Sequence, residues 1–149
     1  MARAQMIAAR SPIATMSGTE DSGKLLLRVV LGALILLHGI SKVIAGPAFI
    51  ISTVAREGLP AALAYGVYIG EVAAPLLLIA GIWTRAAAAV VAINMAMAIV
   101  LVHMADLFKL SKSGGWALEL QGLFLAAAIA VALLGAGRYS VGGAAGRFN

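Results

Sequence analysis

Cysteine is absent from this 149-residue sequence, and charged residues make up only 11% of it. Without cysteine the chain has no disulfides, no thiolate metal ligands and no Cys-x-x-Cys redox pair. Any redox chemistry must therefore use a bound cofactor, a substrate or another subunit. The shortage of charge excludes an ordinary soluble domain, in which about 25% of the residues are charged.

Apolar residues are what the sequence has in abundance, at 62% of the chain and a mean hydropathy of +1.02. A helix needs about 20 mostly apolar residues to cross a bilayer. Four segments meet that requirement: 25–45, 61–83, 86–108 and 116–136. Barrel strands would be shorter and alternating, and backbone groups in lipid must be paired within the element. The sequence therefore predicts an all-α integral membrane four-helix bundle, with the lipid bilayer as its surroundings.

The segments outside these spans are more polar. Residues 1–24 are predicted to be a flexible cytoplasmic tail, residues 25–141 one membrane domain, and residues 142–149 a C-terminal tail. The stretch GPAFIISTVAREGLP, residues 46–60, is too short to cross the bilayer but keeps several apolar side chains. We expect it to form a short helix in the membrane interface. No basic run with interleaved aromatics occurs, so nucleic acid is not an expected partner.

Lysine and arginine are distributed unequally between the two ends of the predicted spans. One side collects seven of them and the other side four. The larger group is Arg3, Arg10, Lys24, Arg28, Arg85, Arg138 and Arg147, and the smaller is Lys42, Arg56, Lys109 and Lys112. Because cytoplasmic loops carry the excess of positive residues, both termini are predicted to lie in the cytoplasm.

Ionisable side chains within the spans are few, and each costs about 2.5–3.5 kcal/mol near the bilayer centre, so they usually face protein or water. They are Arg28, His38, Lys42, Glu71, His103, Asp106 and Glu119. At about 1.5 Å per residue, Glu71 lies near the midplane and His38 about 5 Å from it. Lys42, His103 and Glu119 lie about 10 Å from the midplane on the same side. This pattern predicts one pocket in the outer leaflet, with Lys42 paired to Glu119 and His38 paired to Glu71.

Other residues refine the predicted pocket. Tyr68 precedes Glu71 by about one turn and is expected beside it, whereas Asn94 is expected to bond a neighbouring helix. Pro75 removes the helical hydrogen bond to the carbonyl of Glu71. A ligand hydroxyl, a water or a neighbouring helix could satisfy that oxygen. No metal is expected, because Lys42 would repel a cation and the Glu-x-x-His pairs of di-iron bundles are missing.

Several motifs together resemble the DoxX family of small bacterial membrane proteins. They are RVVLGALILLHGISKVIAG in the first span, GEVAAPLLLIAGIWTRAAA across the second and third, the His103 region, WALELQGLF in the fourth, and the terminal GAGRYS. The terminal motif departs from the family, since Ala136 replaces a proline and Val141-Gly142 follow the serine. The resemblance implies a four-helix, multi-pass protein of the bacterial inner membrane. It also implies redox work, because relatives include a subunit of a thiosulfate:quinone oxidoreductase.

The leading functional hypothesis is a quinone-associated redox membrane subunit with a redox partner subunit. His38 and Lys42 would donate hydrogen bonds to the quinone carbonyls. His38 and Glu71 are the candidate catalytic residues, because histidine exchanges protons near neutral pH and a carboxylate can also carry one. The expected ligand-binding set is His38, Lys42, Tyr68, Glu71, His103 and Glu119. Whether the chain is itself an enzyme stays open.

The alternative is a non-enzymatic structural or accessory membrane subunit whose buried charges only fix helix packing. A transporter or proton relay is the least favoured option, because the sequence shows neither broken helices nor symmetric halves.

Overall fold

The structure, a computed structural model, describes residues 12–149, with side chains from Gly18 onward. Within this range it is helical and has no strand, as expected for an all-α protein. The helices are α1 (Pro12–Ala45), α2 (Ala48–Arg56), α3 (Ala61–Ala80), α4 (Thr84–Val102) and α5 (Glu119–Leu134). A short 3₁₀ turn, Met104–Asp106, follows α4.

Three helical segments in the described part are long and apolar enough to cross a membrane: Gly18–Ala45 within α1, Ala61–Ala80 and Thr84–Val102. They indicate a membrane protein. Helix α5 is apolar but has only 16 residues, which corresponds to about 24 Å against a hydrocarbon core of about 30 Å. The fourth span therefore stays a prediction, as does the interfacial position of α2.

Helix α1 begins earlier than the sequence predicted. It starts at Pro12 and so includes the second half of the segment expected to be a tail, while residues 1–11 lie outside the described part. One polar residue of this part of α1, Asp21, has a tertiary partner. The Asp21 carboxylate is buried and accepts hydrogen bonds from the main-chain N–H of Arg138 at 3.2 Å and from its Nε at 2.5 Å. In turn, the Asp21 carboxylate holds the pKa of Arg138 above its ordinary value.

The C-terminal segment packs against the turn between α3 and α4. The side-chain oxygen of Asn149 accepts a hydrogen bond from the main-chain N–H of Thr84 at 2.9 Å, and its nitrogen donates to the carbonyl of Gly81 at 3.2 Å. Gly81 itself ends α3 in a left-handed conformation with φ of 71°. The segment 142–149, predicted as a tail, is therefore anchored to the helical domain.

The loop between α4 and α5 shortens both helices relative to the predicted spans. Helix α4 ends at Val102, with His103 leaving helical geometry at φ of −118°. The indole N–H of Trp116 donates to the carbonyl of Leu107 at 2.7 Å, which folds the loop back on itself. His103 and Asp106 therefore lie beyond α4, outside the helical segment that is long and apolar enough to cross a membrane.

A buried apolar cluster holds α1, α3, α4 and α5 together. It consists of Leu31, Ile35, Ala74, Leu78, Ala87, Ala88, Val91, Met95, Phe124, Ala128 and Val131. The small side chains among these residues let the helices approach closely.

Helix α3 widens into a π-helical turn at Ile69–Ala73, just before Pro75. A proline ring clashes with the carbonyl four residues earlier, and a wider turn relieves that clash. The freed carbonyl of Glu71 is covered by α1 at Gly39, where an added Cβ would lie 2.6 Å from the carbonyl carbon.

Candidate functional site

The buried carboxylate of Glu71 lies where α1, α3 and α4 meet. The ammonium of Lys42, in the last turn of α1, donates to Oε1 of Glu71 and forms an ion pair with it. The amide nitrogen of Asn94, from α4, donates to the same oxygen at 3.2 Å. We call Lys42, Glu71 and Asn94 the polar triad.

The members of the ion pair differ in burial. The side chain of Glu71 is 5% exposed and that of Lys42 is 36% exposed. The second carboxylate oxygen of Glu71, Oε2, is buried and has no hydrogen-bond partner. An unmet buried acceptor costs about 1–3 kcal/mol, and more when it is charged. The triad therefore holds a charged acceptor whose hydrogen-bonding capacity is only partly used.

A cavity of about 400 Å³ lies beside the polar triad. This volume is within the range of about 300–1,000 Å³ typical of small-molecule sites. Its walls come mainly from α2, α3 and α4 and are almost entirely apolar, with Lys42, Glu71, Asn94 and Thr53 as the polar exceptions. The remaining wall residues are Phe49, Ile50, Val54, Leu59, Leu63, Ala64, Gly66, Val67, Ile69, Gly70, Val90, Ile93, Met97, Ala98, Leu101 and Val102.

Several of these wall residues are also exposed on the outer surface of the helices. Phe49, Ile69 and Ile93 each have more than half of their surface exposed. Large exposed apolar side chains on membrane-length helices suit contact with acyl chains. The cavity is thus suited to a largely apolar ligand with a few polar atoms.

The structure brings together three of the six predicted ligand-binding residues. Lys42 and Glu71 line the cavity. Tyr68 lies next to them, and its hydroxyl donates to the main-chain oxygen of Lys42 at 3.5 Å.

His38 does not pair with Glu71, and that predicted pairing was wrong. Its Nδ1 donates to the carbonyl of Leu34 at 2.8 Å, and its exposed ring packs edge-on against Phe124 with centroids 5.7 Å apart. The longer side chain of Lys42, one turn later on α1, is the one that reaches Glu71.

Glu119 and His103 also lie apart from the triad. The exposed Glu119 carboxylate lies over Gly115, where an added Cβ would be 2.5 Å from its Oε2, so the predicted Lys42–Glu119 pair was wrong. Nε2 of His103 lies 3.5 Å from the side-chain nitrogen of Gln121. The ionisable side chains of the four predicted spans therefore do not meet in a single pocket among the described residues. Equal depth in a membrane does not place side chains on facing sides of their helices.

Asn94 belongs to the site although the sequence did not indicate it as a ligand-binding residue. It does bond a neighbouring helix, as expected, but its partner is the Glu71 carboxylate. Gly70 makes this approach possible, since an added Cβ there would lie 2.5 Å from the Cβ of Asn94. A glycine directly before the acidic residue was the signal that could have identified this contact.

Metal ligands do not gather anywhere in residues 12–149, where no three His, Asp or Glu side chains are placed to hold one ion. The polar triad offers a single carboxylate beside an ammonium, which suits an organic ligand better than a cation.

Comparison with known proteins gives one match. The family model named DoxX matches residues 23–104, which is more than half of the chain and includes all of the polar triad. Searches of curated proteins and of solved structures found no match.

Proposed function

Because the chain belongs to the DoxX family and its apolar helices indicate a membrane protein, we propose that it is a quinone-associated subunit that holds the quinone beside the polar triad. The supporting observation is the apolar cavity that has the ion pair of Lys42 and Glu71 among its few polar wall residues. We further propose a location in the bacterial inner membrane, with α5 as the fourth span and both termini in the cytoplasm.

The cavity residues fit such a ligand in shape and chemistry. Its apolar walls would contact the ring and the first part of a prenyl tail. Lys42 has three N–H bonds and Asn94 has two, so each keeps donors beyond the one given to Glu71. These donors would bond the ring oxygens, and Glu71 would accept or return a proton.

A bound quinone would supply two-electron, two-proton chemistry, with the electrons exchanged with a redox centre in a partner subunit. Lys42 balances the charge of Glu71 whenever that carboxylate is ionised. His38 has no part in this arrangement, because its ring lies against Phe124 and not at the cavity.

The test is a binding titration with the purified protein in lipid nanodiscs and a short-chain ubiquinone as the probe. The proposal expects saturable binding by the natural chain. Ala98→Phe fills the cavity and should weaken binding at least about tenfold, the equivalent of 1.4 kcal/mol. Ala89→Phe, on an exposed part of the same helix outside the cavity, should leave binding unchanged. Absence of binding, or equal weakening by both variants, would contradict the proposal.

A structural or accessory role is the second candidate, and the ion pair between α1 and α3 favours it. Replacing the pair by apolar residues, Lys42→Met with Glu71→Leu, separates the two. If the ion pair only fixes helix packing, the double variant should fold and keep its function in the cell. The reason is that a well-packed apolar pair often replaces a buried ion pair without loss of stability. If the quinone role is correct, this variant folds but loses function and quinone binding.

A further inference from the structure

Two exposed polar side chains, His38 and Ser41, lie within the membrane-length segment of α1. Exposed apolar side chains lie before and after them along the helix, among them Leu34, Leu37 and Ile44. An ionisable side chain inside a membrane-crossing helix is costly when it meets lipid and usually faces protein or water. The exposure of His38 in the single chain therefore indicates a surface that another protein chain covers in the membrane.

The hydrogen-bonding groups of the two side chains are complementary. Nδ1 of His38 bonds the carbonyl of Leu34 at 2.8 Å. A carbonyl only accepts hydrogen bonds, so Nδ1 carries the proton and Nε2 of the neutral ring is an acceptor. The Ser41 hydroxyl is a donor, and within the described residues neither this hydroxyl nor Nε2 has a hydrogen-bond partner. Each copy of α1 thus presents one unused acceptor and one unused donor.

The residues around Ser41 follow the spacing of a helix–helix contact. Five exposed residues of α1 recur at intervals of four, three, four and three positions: Val30, Leu34, Leu37, Ser41 and Ile44. We call these five residues the α1 seam. This alternation keeps one side of a helix turned towards a partner helix in a left-handed pair, which is the commonest packing of membrane helices. A single polar residue in such a seam fixes the register of the two helices.

We propose that the α1 seam binds the α1 seam of a second copy of the chain, with each Ser41 hydroxyl donating to Nε2 of His38 in the other copy. Copies of one chain insert into a membrane in the same orientation, so the two α1 helices run parallel. The two residues then differ in depth by only about 4.5 Å. In a twofold interface residue i meets residue j and j meets i, so the donor and the acceptor satisfy each other twice.

The second copy is the partner that this chemistry fits, because it supplies both missing groups at the matching depth. The proposal goes beyond the proposed quinone function and does not rest on it. None of the α1 seam residues lines the cavity, and neither does His38. A failure of the dimer would therefore leave the quinone proposal untouched, and a chain that binds no quinone could still form the dimer.

The first experiment is cysteine cross-linking in membranes, for which the chain is suited because it has no cysteine. Leu37→Cys lies in the α1 seam and should form a disulfide-linked dimer on oxidation with copper phenanthroline. Leu76→Cys, at an exposed position of α3, is the matched control and should stay monomeric. Cross-linking of neither variant, of Leu76→Cys alone, or of both to the same extent would overturn the proposal.

The second experiment measures the dissociation constant of the dimer in liposomes by energy transfer between copies labelled at Ser113→Cys, in the exposed loop before α5. His38→Leu removes the acceptor and Ser41→Ala removes the donor. Each change removes both symmetry-related bonds and should raise the dissociation constant about tenfold. His38→Gln keeps an acceptor oxygen and should keep most of the affinity. Ser52→Ala removes an exposed hydroxyl on α2 and should change nothing.

The outcomes separate the parts of the proposal. A natural chain that is monomeric at the highest ratio of protein to lipid would overturn the dimer. A dimer whose affinity is unchanged in both His38→Leu and Ser41→Ala would overturn the hydrogen-bonded pairing. If His38→Leu fails to fold because its ring no longer packs on Phe124, Ser41→Ala decides alone, since it leaves that ring contact in place.

Discussion

Replacing Lys42 by methionine should destabilise the protein more than replacing Glu71 by glutamine, although both changes remove the same ion pair. The reason is the unequal burial of the partners, with 5% of the Glu71 side chain exposed against 36% of Lys42. Lys42→Met leaves a buried carboxylate with only the amide of Asn94 as a donor. Glu71→Gln leaves an ammonium that can extend towards the exposed surface.

The magnitudes follow from these two situations. Removing one partner of a fully buried pair costs about 3–5 kcal/mol, and the partial exposure of Lys42 puts Lys42→Met near the lower end, at about 3 kcal/mol. Glu71→Gln keeps one acceptor and should cost about 1 kcal/mol. The variant that combines Lys42→Met with Glu71→Gln should lose about 1–2 kcal/mol less stability than the two single variants lose in sum, because the two residues are in direct contact.

The assay is reversible unfolding in mixed micelles of a mild detergent and sodium dodecyl sulfate, followed by circular dichroism. Lys109→Met is the control: it breaks the pair with Asp106, whose N–O distance is 3.0 Å and whose side chains are 62% and 43% exposed. That change should cost less than about 1 kcal/mol. If Lys42→Met costs no more than Glu71→Gln, the argument from unequal burial is refuted.

Two other predictions concern packing and topology. Gly39→Ala should destabilise the protein by about 1–3 kcal/mol in the same assay, because the new Cβ meets the main chain of Glu71, which cannot move aside as a side chain could. Gly66→Ala, where nothing lies within 4 Å, should cost nothing measurable, and equal effects would argue against the close approach of α1 and α3. The chain has no cysteine, so a cysteine introduced at one position is the only thiol that a maleimide can label, and its labelling shows on which side of the membrane that position lies. In intact cells an impermeant maleimide should label Ser113→Cys and not Ala144→Cys, and the reverse pattern would contradict the proposed orientation.

The helical membrane class was predictable because it depends on composition and on the length of apolar runs. Helix ends were less predictable, since they depend on contacts between distant residues. Asp21 meets Arg138, which is 117 residues away in the sequence, and this contact accompanies a helix that starts before the expected Leu25. The early end of α4 goes with a loop that Trp116 folds back onto Leu107.

The candidate site was predictable in its residue types and only partly in its pairings. Depth along the helix correctly put Lys42 and Glu71 in one region. It did not show that His38 bonds the carbonyl of Leu34 on its own helix or that Glu119 begins α5 beside Gly115. Those outcomes depend on the rotation of each helix about its axis and on side-chain reach, and neither is fixed by counting residues along a span.

The most direct test of the central claim is a density map of the protein in nanodiscs with a saturating concentration of ubiquinone-1. The account predicts a ring-shaped ligand in the cavity among α2, α3 and α4, with a ring oxygen within hydrogen-bond distance of the polar triad. A ring found against His38 and Phe124, or a cavity without ligand at saturation, would contradict it.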